Sequence, residues 1–181
     1  SVFPVDSELP WEMLGALPEM LQTCHGSLHI GLGVQAGETL LIRGGTSSIG
    51  FAILAMAKHA GLKVISTSRS EAKADVLRAA GADEVVIDTG TVSEQVGASH
   101  PKGVDCVLEL IGTTTLLDSL KCARPGGVVC MTGMLGGQWV LPSFQPMGHI
   151  PTAVRLTSYS GGAGDISREQ LQQYVSMVES G

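Results

Sequence analysis

Apolar residues in this chain fall into short uninterrupted runs rather than long periodic stripes. Residues 40–42, 63–67, 84–87, 104–109 and 128–132 each have the length of a buried strand, and residues 154–159 form a sixth run rich in β-branched side chains. Between the runs lie segments of helical character, at residues 49–57, 70–80, 91–98 and 113–120, with a last one at 167–179. Gly81 stops the second of these, and Pro125-Gly126-Gly127 reads as a plain turn before the fifth strand. Strands that alternate with helices imply an α/β fold with a doubly wound, parallel, six-stranded sheet. Right-handed crossovers then give the strand order 3-2-1-4-5-6. Ahead of the first strand, residues 1–9 read as extended. A helix begins near Pro10, is interrupted by Pro18, and resumes from Glu19 to about Ser27. Residues 1–30 are therefore expected to be an opening segment with a junction helix, and residues 31–181 the core domain.

The first strand runs into Arg43-Gly44-Gly45-Thr46-Ser47-Ser48-Ile49-Gly50. The two glycines permit a sharp turn, and Ser47 or Ser48 can cap the following helix. That helix is apolar on almost every face, which predicts burial all round. A glycine turn feeding a helix N-terminus presents backbone N–H groups and a positive dipole end, which suits a pyrophosphate. Gly44-x-x-Ser47-x-x-Gly50 is a degenerate dinucleotide fingerprint, and the second strand follows at the separation a βαβ unit requires. The fold expected is thus a Rossmann fold. The second strand ends in Ser68-Arg69-Ser70, with Lys73 one turn on. An NAD-preferring site carries an acid there; this chain has none at residues 68 or 69. Hydroxyls and two cations suit a 2′-phosphate, so NADP(H) is expected. The alternative is that Arg69 and Lys73 begin a solvated helix, with Lys73 facing Glu71 and Asp75. Ligands in such sheets bind beyond the carboxyl ends of the strands, between strands one and four. That places Ile111, Gly112, Thr132, Gly133 and Met134 beside the glycine turn.

Composition narrows the class. Hydrophobic residues make up 44 % of the 181 positions and charged ones 15 %, which fits a packed globule rather than a disordered chain. The net charge is −6 with no basic patch, which argues against a nucleic-acid partner. No apolar run reaches the length of a membrane span, and no signal peptide is expected ahead of the fold. The four cysteines, Cys24, Cys106, Cys122 and Cys130, show no paired spacing and read as reduced residues of a cytoplasmic protein. The chain begins at Ser1 and ends at Gly181 just as a helix finishes, as an excised domain would.

These residues resemble the quinone oxidoreductase branch of the medium-chain dehydrogenase/reductase superfamily. The resemblance rests on Gly37 to Ile42 followed by Gly44 to Gly50, on Gly81-Ala82-Asp83-Glu84-Val85, on Gly103-Val104-Asp105, on Arg124-Pro125-Gly126-Gly127, and on Ala16-Leu17-Pro18 with Thr23. It covers nearly the whole chain, with the motifs in order. It implies NADPH-dependent hydride transfer to a small quinone, enone or related carbonyl compound, and a separate catalytic domain of which only the junction is present. It further implies that Thr23, Gly133, Met134 and Leu135 approach the nicotinamide, that Gly44, Thr46, Ser47, Ser48, Ile49 and Gly50 hold the pyrophosphate, and that Ser68, Arg69 and Lys73 hold the 2′-phosphate. A homodimer joined through the edge strand 154–159 is implied as well. Ser47-Ser48 replaces the Gly-Gly of relatives.

Other readings carry less of the chain. A short-chain dehydrogenase needs a tyrosine with a lysine four residues later. Here Tyr159 is followed by Ala163 and Tyr174 by Val178. A methyltransferase would want an acid where Ser68-Arg69 stands. A non-catalytic NADP(H)-binding or redox-sensing module, and an enoyl reductase domain of a multienzyme synthase, both remain compatible with the residues. Cys24, His25 and His29 cluster in sequence but lack a fourth ligand, so no metal is expected. Glu109 either acts in the cleft or orients a loop amide, and Arg43 either reaches a phosphate or pairs with an acid.

Overall fold

The computed structural model describes residues 2–180. A single parallel sheet of six strands has the order β3-β2-β1-β4-β5-β6. Its strands are β1 (Thr39–Arg43), β2 (Lys63–Ser68), β3 (Glu84–Ile87), β4 (Val104–Glu109), β5 (Ala123–Met131) and β6 (Arg155–Ser158). The central pair, β1 and β4, is buried along almost its whole length, as a strand covered on both faces must be. Helices α1 (Trp11–Leu14), α2 (Leu17–Gly26), α3 (Ser48–His59), α4 (Ala74–Ala79), α5 (Val92–Ser99), α6 (Thr113–Cys122), α7 (Pro146–His149) and α8 (Arg168–Ser180) connect and flank the strands. One face packs Leu40, Ile42 and Leu108 against Leu21 of α2, Ile53 and Leu54 of α3, and Leu171 and Val175 of α8. The other packs Leu41, Ile65 and Val107 against Val92 and Val96 of α5 and Leu116 and Leu120 of α6.

The expected strand order and the parallel pairing are present, while several local breaks fall elsewhere. The opening helix breaks at Gly15-Ala16, not at Pro18. Pro18 lies in the first turn of α2, where its missing N–H has no partner to lose. The chain stays helical through Gly26 and widens into π turns over Ser27–Leu32. Gly26 is required there because the Tyr159 ring occupies the space of any Cβ. Pro125-Gly126-Gly127 is not a plain turn before the fifth strand but an irregularity within β5. The register against β4 shifts between Val104 and Cys106, and Gly126 takes φ +82°. The helix expected from residue 70 starts as a tight turn over Glu71–Lys73, with α proper only from Ala74. Nor is α3 buried all round, since Ala55 and His59 are exposed. The opening segment runs along α8: the Asp6 N–H donates to Gln172 Oε1 at 2.9 Å and the Glu8 N–H to Glu179 Oε1 at 2.8 Å. Ser1 and Gly181, the two chain ends noted in the sequence, lie outside the described residues.

Candidate functional site

The site forms where the sheet changes direction. β1 pairs with β2 on one side and β4 on the other, so the loops after β1 and β4 diverge and leave a crevice at the carboxyl edge. Gly44 turns the chain at φ +93°. The Gly44 N–H donates to Thr67 Oγ1 at 3.0 Å, and the Gly45 N–H to the Thr67 carbonyl at 3.1 Å, which pins the turn to β2. Ser47, not Ser48, is the cap. Its Oγ accepts the Gly50 N–H at 3.0 Å and donates to the Gly44 carbonyl at 2.9 Å. Gly50 lies so close to the turn that a Cβ would sit 2.6 Å from the Gly45 carbonyl oxygen. Among the described residues, the hydroxyls of Thr46 and Ser48 make no hydrogen bond, so both stay available.

A cleft of about 550 Å³ opens above this turn. Its walls are Gly44, Thr46 and Ser47 from the turn, Thr67, Ser68 and Arg69 from the end of β2, Asp88 and Gly90 after β3, Ile111 and Thr115 after β4, and Leu135 and Gly136 after β5. A smaller recess of about 210 Å³ adjoins it at Ser47 and Leu135. It is lined by Thr23, Ser48, Ile49, Leu110, Thr132, Gly133 and Met134 as well. The two spaces bring together most of the residues singled out from sequence. Gly50 and Gly112 instead shape the backbone, Gly112 with φ +107° at the start of α6. Lys73 is exposed one turn beyond Arg69 and lines neither space. Thr132, placed beside the glycine turn from sequence, lines the recess, whereas Thr67, Asp88, Gly90, Leu110, Thr115 and Gly136 were not singled out. For Asp88, Gly90, Leu110 and Gly136 the position past a strand end is the signal that reaches them; Thr67 lies within β2 and Thr115 in the first turn of α6.

Beneath the crevice lies a buried polar network. Arg43 and Glu109, partners across β1 and β4, are both fully buried. Of the two options for Arg43, pairing with acids is the one realised. Its Nε donates to Asp88 Oδ2 at 2.8 Å and its Nη1 to Asp118 Oδ2 at 2.7 Å. Burial disfavours the guanidinium charge, but the two carboxylates outweigh it and hold the Arg43 pKa above its usual value. Asp118 also accepts the Ser93 hydroxyl at 2.5 Å; although burial pushes its pKa up, the Ser93 and Arg43 hydrogen bonds hold it below the usual carboxylate range. Glu109 orients loop amides. It accepts the N–H groups of Ile111 at 2.7 Å and Gly112 at 3.0 Å, and the hydroxyl of Ser119. Burial raises its pKa more than these bonds lower it. The loops after β4 and β5 are tied by the Leu135 N–H to the Leu110 carbonyl and the Gly136 N–H to the Ile111 carbonyl, at 3.1 and 2.7 Å.

The cluster of Cys24, His25 and His29 converges only in part, with the His25 and His29 rings 4.6 Å apart at their centroids and Cys24 turned away. Cys24 Sγ faces the Ile49 carbonyl, while His25 Nδ1 bonds the Tyr174 hydroxyl at 2.9 Å. Tyr159 is bonded to Gln22 and Asp165 rather than to a lysine. Against known proteins, residues 48–180 match the zinc-binding dehydrogenase family. The chain belongs to that family. It is thereby a member of the medium-chain dehydrogenase/reductase superfamily, which binds NAD(P). Squalestatin tetraketide synthase of Phoma sp. is 34 % identical over 77 residues, 42 % of this chain and 3 % of that protein. (R,R)-butanediol dehydrogenase of Neisseria gonorrhoeae is 32 % identical over 111 residues, 60 % of this chain and 30 % of that protein. The crystal structure of a 2-haloacrylate reductase superposes with a TM-score of 0.82 at 25 % identity, covering 98 % of this chain and 57 % of that one. The chain thus spans well under two thirds of the proteins it matches. Although the family name cites zinc, no group of three or more His, Cys, Asp and Glu is placed to hold a metal among the described residues. The residues present do not fit a zinc site. No helix among the described residues is long and apolar enough to cross a membrane.

Proposed function

We propose that this chain is the NADP(H)-binding domain of an oxidoreductase that transfers hydride to a quinone, enone or related carbonyl substrate. The observation that carries the reading is the cleft itself. The N-terminus of the 12-residue helix α3 meets, in one groove, an exposed cation and a hydroxyl at the end of β2, with no acid at residues 68 or 69. The backbone N–H groups of Thr46, Ser48 and Ile49, with the hydroxyls of Thr46 and Ser48, would hold the pyrophosphate; the dipole of α3 adds about 0.3–1 kcal/mol. Arg69 would hold the 2′-phosphate, with Lys73 adding charge from one turn away, while Ser68, whose hydroxyl donates to the Ser70 carbonyl at 3.0 Å, would shape the turn that presents it. Ile111 and Gly112 would carry the ribose, and Thr23, Gly133, Met134 and Leu135 would border the nicotinamide. Bound there, NADPH supplies the hydride. What this chain contributes is binding, orientation and exclusion of water around the recess.

Residues 31–181 form the binding domain in this reading, and residues 1–30 its junction with a catalytic domain. The similarity to a 2-haloacrylate reductase supports an activated-alkene or carbonyl substrate. A second reading, an enoyl reductase domain within a multienzyme synthase, is favoured by the match inside a tetraketide synthase. β6 is an edge strand, which supports a homodimer joined through residues 154–159. The four unpaired cysteines support a reducing, cytoplasmic setting. Titrating the chain with NADPH while following nicotinamide fluorescence tests the reading. Saturable enhancement that disappears in Gly50→Val is expected; no enhancement at any concentration contradicts it.

A further inference from the structure

One residue of the cleft wall runs against the anion-binding character of the rest. Asp88 follows β3 and shares the wall with Ser68 and Arg69. Its N–H donates to the Ser68 carbonyl at 2.8 Å, one hydrogen bond from the residue preceding Arg69. Its carboxylate is held from two sides: Arg43 Nε donates to Oδ2 at 2.8 Å and the Gly90 N–H to Oδ1 at 3.0 Å. The side chain keeps 13 % of its surface open. Arg43 does not cancel this charge, because it is shared with Asp118. One guanidinium between two carboxylates leaves the group one negative charge in excess. Arg69 on the same wall is exposed and makes no ion pair among the described residues. The cleft therefore sets a held negative charge beside an unpaired positive one.

We infer that Asp88 is a specificity-determining residue that limits how strongly the cleft prefers a 2′-phosphorylated dinucleotide over the unphosphorylated one. The inference rests on the dinucleotide reading above. A phosphate monoester brings up to two negative charges to the end of β2 and is repelled by a carboxylate that cannot swing away. A ribose hydroxyl carries no charge and can donate to the same carboxylate. The buried Arg43–Asp118 pairing acts as the clamp that keeps Asp88 in place, and the Gly90 amide closes it from the loop side. Asp88 thus opposes Arg69, and their balance sets the ratio of the two affinities.

Calorimetric titration of NADPH and NADH into the wild type, Asp88→Asn and Asp83→Asn tests this. Asp83 precedes β3 at the amino edge of the sheet, pairs with Lys58 rather than Arg43, and does not line the cleft. Asp88→Asn is expected to shift the affinity ratio toward NADPH by about tenfold, through tighter NADPH binding. Asp83→Asn is expected to leave that ratio within about twofold. An unchanged ratio in Asp88→Asn while both nucleotides bind overturns the inference alone. So does an equal shift in Asp83→Asn, which would make the effect one of overall charge. Should Asp88→Asn fail to give a folded far-UV spectrum, Asp88→Ser carries the same expectation. A wild type that binds neither nucleotide removes the dinucleotide reading, and the inference with it.

Discussion

Replacing Arg43 by methionine tests the network under the cleft. Arg43 has no exposed surface, and it is the counter-charge shared by Asp88 and Asp118, whose side chains are 13 % and 19 % exposed. Methionine fills similar space without charge, so the variant leaves two carboxylates facing an apolar gap. Removing one partner of a buried pair costs about 3–5 kcal/mol. Both acids keep some contact with solvent, and Asp118 keeps its bonds from Ser93, so the lower end, about 3 kcal/mol, is expected. For a domain of this size that lowers Tm by roughly 6–12 °C. The pH dependence has a definite sign. The folded pKa of Asp118 lies below its usual value, so its stabilisation is present above the unfolded value of about 3.9 and lost as pH falls through the folded one. Without Arg43 that stabilisation is missing, so the gap between the variant and the wild type is widest near neutral pH and narrows on acidification. Urea unfolding at pH 7 and pH 4 measures it. A gap below about 1 kcal/mol at pH 7, or one that widens at pH 4, refutes the reasoning.

Glu109→Gln should fold with stability within about 1 kcal/mol of the wild type, because the amide oxygen can accept both loop N–H groups while the amide nitrogen donates to Ser119. Burial raises the Glu109 pKa, so its ionisation opposes folding as pH rises from the unfolded value of about 4.3 through the folded one, and Glu109→Gln should lose that component in denaturant titrations across pH. Gly103→Ala should destabilise by about 2 kcal/mol or more in thermal melts: the residue has φ +79°, and a Cβ would sit 2.6 Å from the Arg124 nitrogen. All four cysteines are buried, and burial pushes the Cys24, Cys106 and Cys122 thiols up to about 12. Native protein at pH 8 should therefore resist iodoacetamide, with four labels per chain appearing by mass spectrometry only after unfolding.

The strand order was legible because each buried strand is a continuous apolar run, and connection rules leave few ways to arrange such runs. The glycine turn and its serine cap were legible because their chemistry is local: Ser47 caps through Gly50, three residues on. Proline misled in two places. At Pro18 and Pro125 the breaker signal is real, but a first helical turn and a strand irregularity both tolerate the missing N–H. The partners of Arg43 were out of reach, since Asp88 and Asp118 lie 45 and 75 residues away and meet it only through the sheet order. The same holds for the far cleft wall. Asp88, Gly90, Thr115 and Gly136 come from two separate loops and the first turn of α6, and only the assembled carboxyl edge brings them to Ser68 and Arg69.

The central claim is that the crevice between β1 and β4 holds a dinucleotide whose 2′-phosphate rests on Arg69. Calorimetric titration of NADPH into the wild type and Arg69→Ala tests it most directly. The account predicts binding by the wild type, weakened in the variant by the roughly 1.5–3 kcal/mol of a hydrogen bond to a charged group, which is about a 10- to 150-fold loss, with NADH affinity little changed. No NADPH binding by the wild type, or equal NADPH affinity in both proteins, would contradict it.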